Sequence, residues 1–163
     1  MKNQRFKNNL NCIGMNLVKT IEQYDDNCVY FCDPIKNNIM NDSNFIRIMY
    51  SNDNLVLNGI YLLMTINNFI CEKYYDKYRC VFNVNSHQDL IQNLKNIEET
   101  ILKKINIIHK IPQLKINEQL KNGNIKIFND ITDKQSCMFI LKISGVWETQ
   151  YNYGLTYKFV KTN

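Results

Sequence analysis

The spacing of apolar residues changes several times along the chain, and each change predicts an element. From Cys28 to Val84 they come in short runs, CVYFC, NFIRIMY, LVLNGIYLLMTI, FICEKYY and YRCVFNV, separated by Asn, Asp, Ser and Gly. Short runs of β-branched and aromatic residues bounded by turn formers read as strands, and connectors of a few polar residues suit antiparallel hairpins. This stretch predicts an antiparallel meander. Between Ser86 and Lys110 the period lengthens. Leu90, Leu94, Ile97, Ile101, Ile105 and Ile108 recur every three or four residues, with Gln92, Lys95, Asn96, Glu99 and Lys103 between them. That is an amphipathic α-helix. Ser86 is the expected N-cap, Asp89 suits the positive end of the helix dipole, and Lys103, Lys104 and Lys110 suit the negative end. Pro112 stops the helix, and a short turn within 113–123, ending at Gly123, precedes a strand at NIKIF.

Alternation returns at the C-terminus. Phe139, Leu141, Ile143 and Trp147 are expected on one face of a strand, and Tyr153, Leu155, Tyr157 and Phe159 on one face of the next. An antiparallel hairpin with a five-residue loop, Glu148 to Asn152, merges these faces. It pairs Trp147 with Tyr153, Ile143 with Tyr157 and Leu141 with Phe159, and sets Lys142 beside Lys158 and Ser144 beside Thr156 on the reverse. Trp147, Tyr157 and Phe159 are expected in the core, with the lysines exposed. At the other end, Leu10, Ile13, Leu17 and Ile21 predict an N-terminal helix or arm within 1–27. The expectation is one domain over 1–163 of β-rich α+β class: a meander, one long helix at about 86–110 and a C-terminal hairpin. That element order is OB-fold-like, and a plain sheet with one helix packed on it fits nearly as well.

Charge and cysteines narrow the setting. The net charge of +5 is uneven: residues 1–53 carry six acids and six bases, and residues 54–163 carry nine acids and fourteen bases. A modest basic surplus permits nucleic acid or an anionic surface as partner without demanding it. The N-terminus is polar, without the pattern of a secretory leader, and LVLNGIYLLMTI is too short to span a membrane. An intracellular protein with no membrane partner is therefore expected, with its six cysteines reduced. Asn, Lys, Ile and Tyr are abundant and Ala is absent, as in an AT-rich coding genome.

No constellation for catalysis emerges, and the chain is read as a non-enzyme without cofactors. His87 and His109 fall at opposite ends of the predicted helix, and His87 is expected to be solvated. There is no phosphate-binding glycine loop and no nucleophile elbow. Asp25, Asp26 and Asp33 read as a solvated loop. Cys28 and Cys32 are too far apart along a strand to share a metal ion, and Cys71 and Cys80 lack knuckle spacing, so buried apolar cysteines are expected and no metal.

The strongest binding signal is CEKYYDKYRC. Lys73, Tyr74, Tyr75, Lys77, Tyr78 and Arg79 interleave cations with rings at the expected tip of a hairpin. Single-stranded nucleic acid is held in that way, phosphates on cations and bases stacked on rings. Lys142 and Lys158 on the exposed side of the terminal hairpin, with Tyr151 in its loop, extend the candidate set. The competing expectation is that the tyrosines pack and the cations keep an edge soluble.

The segment SGVWETQYNYGLTYKF resembles the C-terminal part of small uncharacterised proteins of nucleocytoplasmic large DNA viruses, in which a W-E strand precedes a Y-G-L-T-Y-K-F strand. The likeness covers about twenty residues. It implies a viral protein active at a replication site or in the virion, and such viruses encode OB-fold single-stranded DNA-binding proteins. The acidic tail of replication-type binders is replaced by FVKTN, which argues against recruitment of replication proteins. Two functions follow as expectations: a single-stranded DNA- or RNA-binding protein with little sequence preference, or an assembly protein acting through self-association.

Overall fold

The computed structural model of the protein describes residues 17–128 and 137–162. Among the described residues, twelve strands and two α-helices follow one another in this order: β1 (Lys19–Thr20), β2 (Val29–Phe31), β3 (Ile35–Lys36), β4 (Asn44–Ser51), β5 (Val56–Leu57), β6 (Ile60–Thr65), β7 (Ile70–Tyr74), β8 (Lys77–Val81), α1 (Gln88–Ile105), β9 (Ile111–Gln113), α2 (Lys115–Lys121), β10 (Asn124–Ile127), β11 (Met138–Glu148) and β12 (Asn152–Lys161). The β-rich α+β class with one long helix is what the alternation predicts.

The meander is not what forms. The strand order is β1-β6-β11-β12-β10-β8-β7, with β4 beside the second half of β11 and carrying β2, β3 and β5, and with β9 beside the start of β12. β6 and β7 follow one another in the chain yet lie on opposite sides of the centre. The reason is burial. β6, β11 and β12 each carry a largely apolar inner face, with Lys161 buried over Phe69 and Phe139 at the end of β12, and take positions where both edges are paired, whereas β7 is exposed on both faces and takes an edge. Three pairings, β1–β6, β10–β12 and β9–β12, are parallel, so the sheet is mixed. It is also open, ending on β1 and β7, and does not close into the barrel that an OB-fold requires.

α1 covers the inner face of the sheet. Ile91, Leu94, Ile97, Ile101 and Leu102 join Leu62, Phe139, Leu141, Ile143 and Phe159 in a single cluster of buried side chains. The helix starts later and stops earlier than predicted. A 3₁₀ turn, Val84–His87, precedes it, so Ser86 is not the cap, and Asn106 at φ 45° ends it before Lys110 is reached. His87, expected in solvent, is buried: its Nε2 accepts the Asn67 N–H at 3.0 Å and its Nδ1 lies 2.9 Å from the Asn83 carbonyl. The Nδ1 proton is therefore the donor, and the ring ties the link after β6 to the start of α1. Glu98 is fully buried on the apolar side of α1 and accepts the N–H groups of Ile116 at 3.0 Å and Asn117 at 2.8 Å, fastening the first turn of α2 to α1. Burial pushes its carboxyl up to about 7 against the pull of those two hydrogen bonds.

Two further expectations change. Cys71 and Cys80 are joined in a disulfide rather than reduced, because the β7–β8 hairpin sets them directly opposite one another. In the N-terminal stretch, Leu10 and Ile13 lie outside the described residues, and Ile21 opens a 3₁₀ turn after β1 instead of continuing a helix. No helix among the described residues is long and apolar enough to cross a membrane.

Candidate nucleic-acid interface

The terminal hairpin builds the candidate site through one irregularity. Leu141 pairs with Phe159, Lys142 with Lys158 and Ile143 with Tyr157, as alternation predicts. The register then slips, so that Gly145 pairs with Thr156 and Ser144 becomes the extra residue of a β-bulge. A slip of one residue turns every later side chain over. Val146 consequently enters the core with Leu155. Trp147, expected there opposite Tyr153, instead pairs with Gly154 and faces away from α1, beside Phe45 of β4. The loop shortens to three residues, Thr149 to Tyr151, closed by the Thr149 N–H donating to the Asn152 carbonyl at 2.8 Å.

The same outer face carries a row of cations perpendicular to the strands. Arg79 on β8 is the register partner of Lys126 on β10. Ile127 and Phe159, both buried, are partners between β10 and β12, so the residues just before them, Lys126 and Lys158, share the opposite face. Lys158 pairs with Lys142 on β11, and Lys142 with Tyr61 on β6. At the ordinary strand spacing the row from Arg79 to Lys142 spans roughly 14 Å. Among the described residues none of these four cations has a carboxylate within ion-pair distance. Rings stand in for acids: the Lys142 ammonium lies 5.1 Å from the Tyr61 centroid, and that of Lys77 lies 4.9 Å from the Phe128 centroid. Like charges placed directly opposite one another cost a few tenths to about 1 kcal/mol per pair, and this face holds two such pairs, Arg79/Lys126 and Lys142/Lys158.

A cleft of about 560 Å³ opens between the β8–β10 side of this face and α2, with Tyr74, Lys77, Arg79, Lys126, Lys115 and Tyr157 on its walls. The Tyr157 hydroxyl lies 2.7 Å from Gln119 Oε1 and 3.0 Å from the Lys115 carbonyl. Burial, with the nearby Glu98 and Glu118, pushes the phenol up to about 12, so it stays a neutral donor. The Gln119 amide nitrogen has no partner among the described residues.

The sequence-predicted residues divide into two groups. Tyr74, Lys77, Arg79, Lys142 and Lys158 share the outer face, and Tyr75, at the hairpin turn with φ 55°, stands beside Tyr74 with ring centroids 4.7 Å apart. Lys73 and Tyr78 are register partners on the other face, where Tyr78 packs against the core while forming one wall of the cleft. Tyr151 is exposed in the β11–β12 loop, seven residues from Lys158, or roughly 23 Å along a strand, so it does not join the lysines. Lys126, Trp147 and Phe45 belong to the surface and were missed. Lys126 carried a signal, since NIKIF alternates and places its only cation opposite two isoleucines. Compared with known protein families, curated proteins and solved structures, the chain matches none.

Proposed function

We propose that the protein binds single-stranded DNA or RNA with little sequence preference, laying the strand across the outer face of the sheet. The observation that carries this reading is the row Arg79–Lys126–Lys158–Lys142, four cations without an ion pair among the described residues, with Glu72 opposite Arg79 as the one acid at its end, flanked by the exposed rings of Tyr74 and Tyr75 and by Tyr61. A polyanion relieves the mutual repulsion of such a row, and each base stacked on a ring adds roughly 1–3 kcal/mol regardless of its identity. A duplex offers only its phosphates, since its base faces are already stacked. The face uses an open sheet where an OB-fold uses the surface of a barrel. The terminal segment and the AT-rich composition support a viral setting, inside the host cell at a replication site or in the virion.

A second reading, an assembly protein that self-associates, is favoured by the open β7 edge, where Ile70 is 68 % exposed. Fluorescence anisotropy with a labelled single strand and the matching duplex, at low and high salt, tests the first reading. Tighter binding of the single strand, falling steeply with salt, supports it; no binding at low salt overturns it. Size-exclusion chromatography without nucleic acid tests the second reading, which fails if the protein stays monomeric across concentration.

A further inference from the structure

Neither core packing nor the cation row accounts for the recess beside Trp147. It has a volume of about 650 Å³, within the range of small-molecule sites. Phe45 and Trp147 form its aromatic side, and Ile35, Ile39 and Met40 its aliphatic side. Asn37, Asn38 and Lys115 supply its polar lining.

Three local features hold those rings in place. The bulge at Ser144 turns Trp147 out of the core. Gly154 lies under the indole, so that a Cβ there would come within 2.8 Å of Trp147 Cζ2. Gly145 lies in the same way under the Phe45 ring. The aliphatic wall is also fixed rather than collapsed. Asn37 Oδ1 accepts the N–H groups of Ile39 at 2.9 Å and Met40 at 3.3 Å, and Ser43 Oγ donates to the Met40 carbonyl at 2.7 Å. That turn leaves Ile39 94 % exposed, a costly placement for an isoleucine that covers nothing.

We propose that this recess is a nucleotide subsite, taking one base against Trp147 and Phe45 and the attached phosphate on Lys115. Two flat rings with an aliphatic wall suit a planar base, and the Lys115 ammonium makes an anionic substituent complementary. Lys115 is the phosphate partner: its ammonium, 2.8 Å from Glu118, belongs to an exposed pair that a phosphate can displace, whereas Lys36 follows Ile35, the register partner of Phe45, and so points to the opposite face of the sheet. The recess also continues the interface. Lys115 and Tyr157 line both it and the neighbouring cleft, and Thr156 on its wall is two residues, or roughly 7 Å, from Lys158 of the cation row. The inference takes only the class of ligand from the proposed function, and adds where a single base is held.

Trp147 is the only tryptophan, so its emission reports this site alone. Titration of the full chain with AMP is expected to quench that emission saturably, with adenosine binding more weakly and inorganic phosphate having no effect. Lys115→Ala should weaken AMP several-fold and leave adenosine unchanged, and Phe45→Leu should weaken both. No quenching by AMP at millimolar concentration overturns the inference. So does an AMP affinity that Lys115→Ala leaves unchanged, or quenching by decanoate and not by AMP, which would make the recess an acyl-chain site. The two proposals fail separately: salt-dependent oligonucleotide binding with Trp147 emission unaltered removes the subsite and leaves the interface. Quenching by AMP without oligonucleotide binding does the reverse.

Discussion

Replacing Lys126 and Lys158 together by glutamine removes the two central members of the row and leaves Arg79 and Lys142 at its ends. Each phosphate neutralised on a single strand contributes about −0.7 to the slope of log K against log salt, so four contacts give about −2.8 and two about −1.4. Between about 50 and 200 mM salt the wild-type affinity should then fall ~50-fold and that of the variant only ~7-fold. Both lysines are exposed and unpaired among the described residues, and each faces like charge, so their loss should leave stability unchanged or slightly raised. The assay is anisotropy of a labelled oligothymidylate at several salt concentrations, with urea melts run alongside on both proteins. A variant slope equal to the wild-type slope, with folding intact, would refute the assignment of phosphates to this row.

Other consequences follow from particular contacts. The folded carboxyl of Glu98, near 7, lies above its ordinary value of 4.5, so the folded state holds more protons between those values and stability falls as pH rises through that window. The gap corresponds to at most about 3 kcal/mol, and urea melts from pH 4.5 to 8 should show that decline in the wild type but not in Glu98→Gln. Gly154→Ala forces Trp147 and the Gln113 carbonyl apart, with a cost of about 1–3 kcal/mol and a shift in tryptophan emission; an unchanged spectrum and melt would contradict the packing described. Reducing the Cys71–Cys80 disulfide, which closes a loop of sequence separation nine, should cost roughly 2–3 kcal/mol and raise hydrogen exchange in β7 ahead of β11. Tyr74→Ala should weaken single-strand binding by roughly 1–3 kcal/mol without altering the salt slope, a pattern that separates stacking from charge.

The sequence is most informative where one period rules. The α1 stripe follows the 3.6-residue period, and the pairs Leu141–Phe159 and Ile143–Tyr157 follow the two-residue period, because an error in either would bury charge. The bulge at Ser144 breaks that period with a single residue, so nothing in the alternation shows that Trp147 leaves the core. Strand order is similarly hidden: the parallel contact of β10 with β12, which brings Lys126 to Lys158, joins segments more than thirty residues apart. One misreading and one residue passed over had a signal. Cys71 and Cys80 lie symmetrically about the Tyr75–Asp76 turn, so any tight hairpin there sets them face to face. Glu98 interrupts the apolar stripe between Leu94 and Leu102, a position where an acid needs donors supplied by another element.

The central claim is that the sheet face turned away from α1 holds the nucleic acid, and photocrosslinking tests it most directly. A single-stranded oligonucleotide carrying photoreactive bases would be irradiated with the full chain, and the attached peptides identified by mass spectrometry. The account predicts adducts on peptides bearing Tyr74, Lys126, Lys142 to Trp147 and Lys158. Adducts confined to the solvent side of α1, at Gln92, Lys95, Asn96 and Glu99, would contradict it.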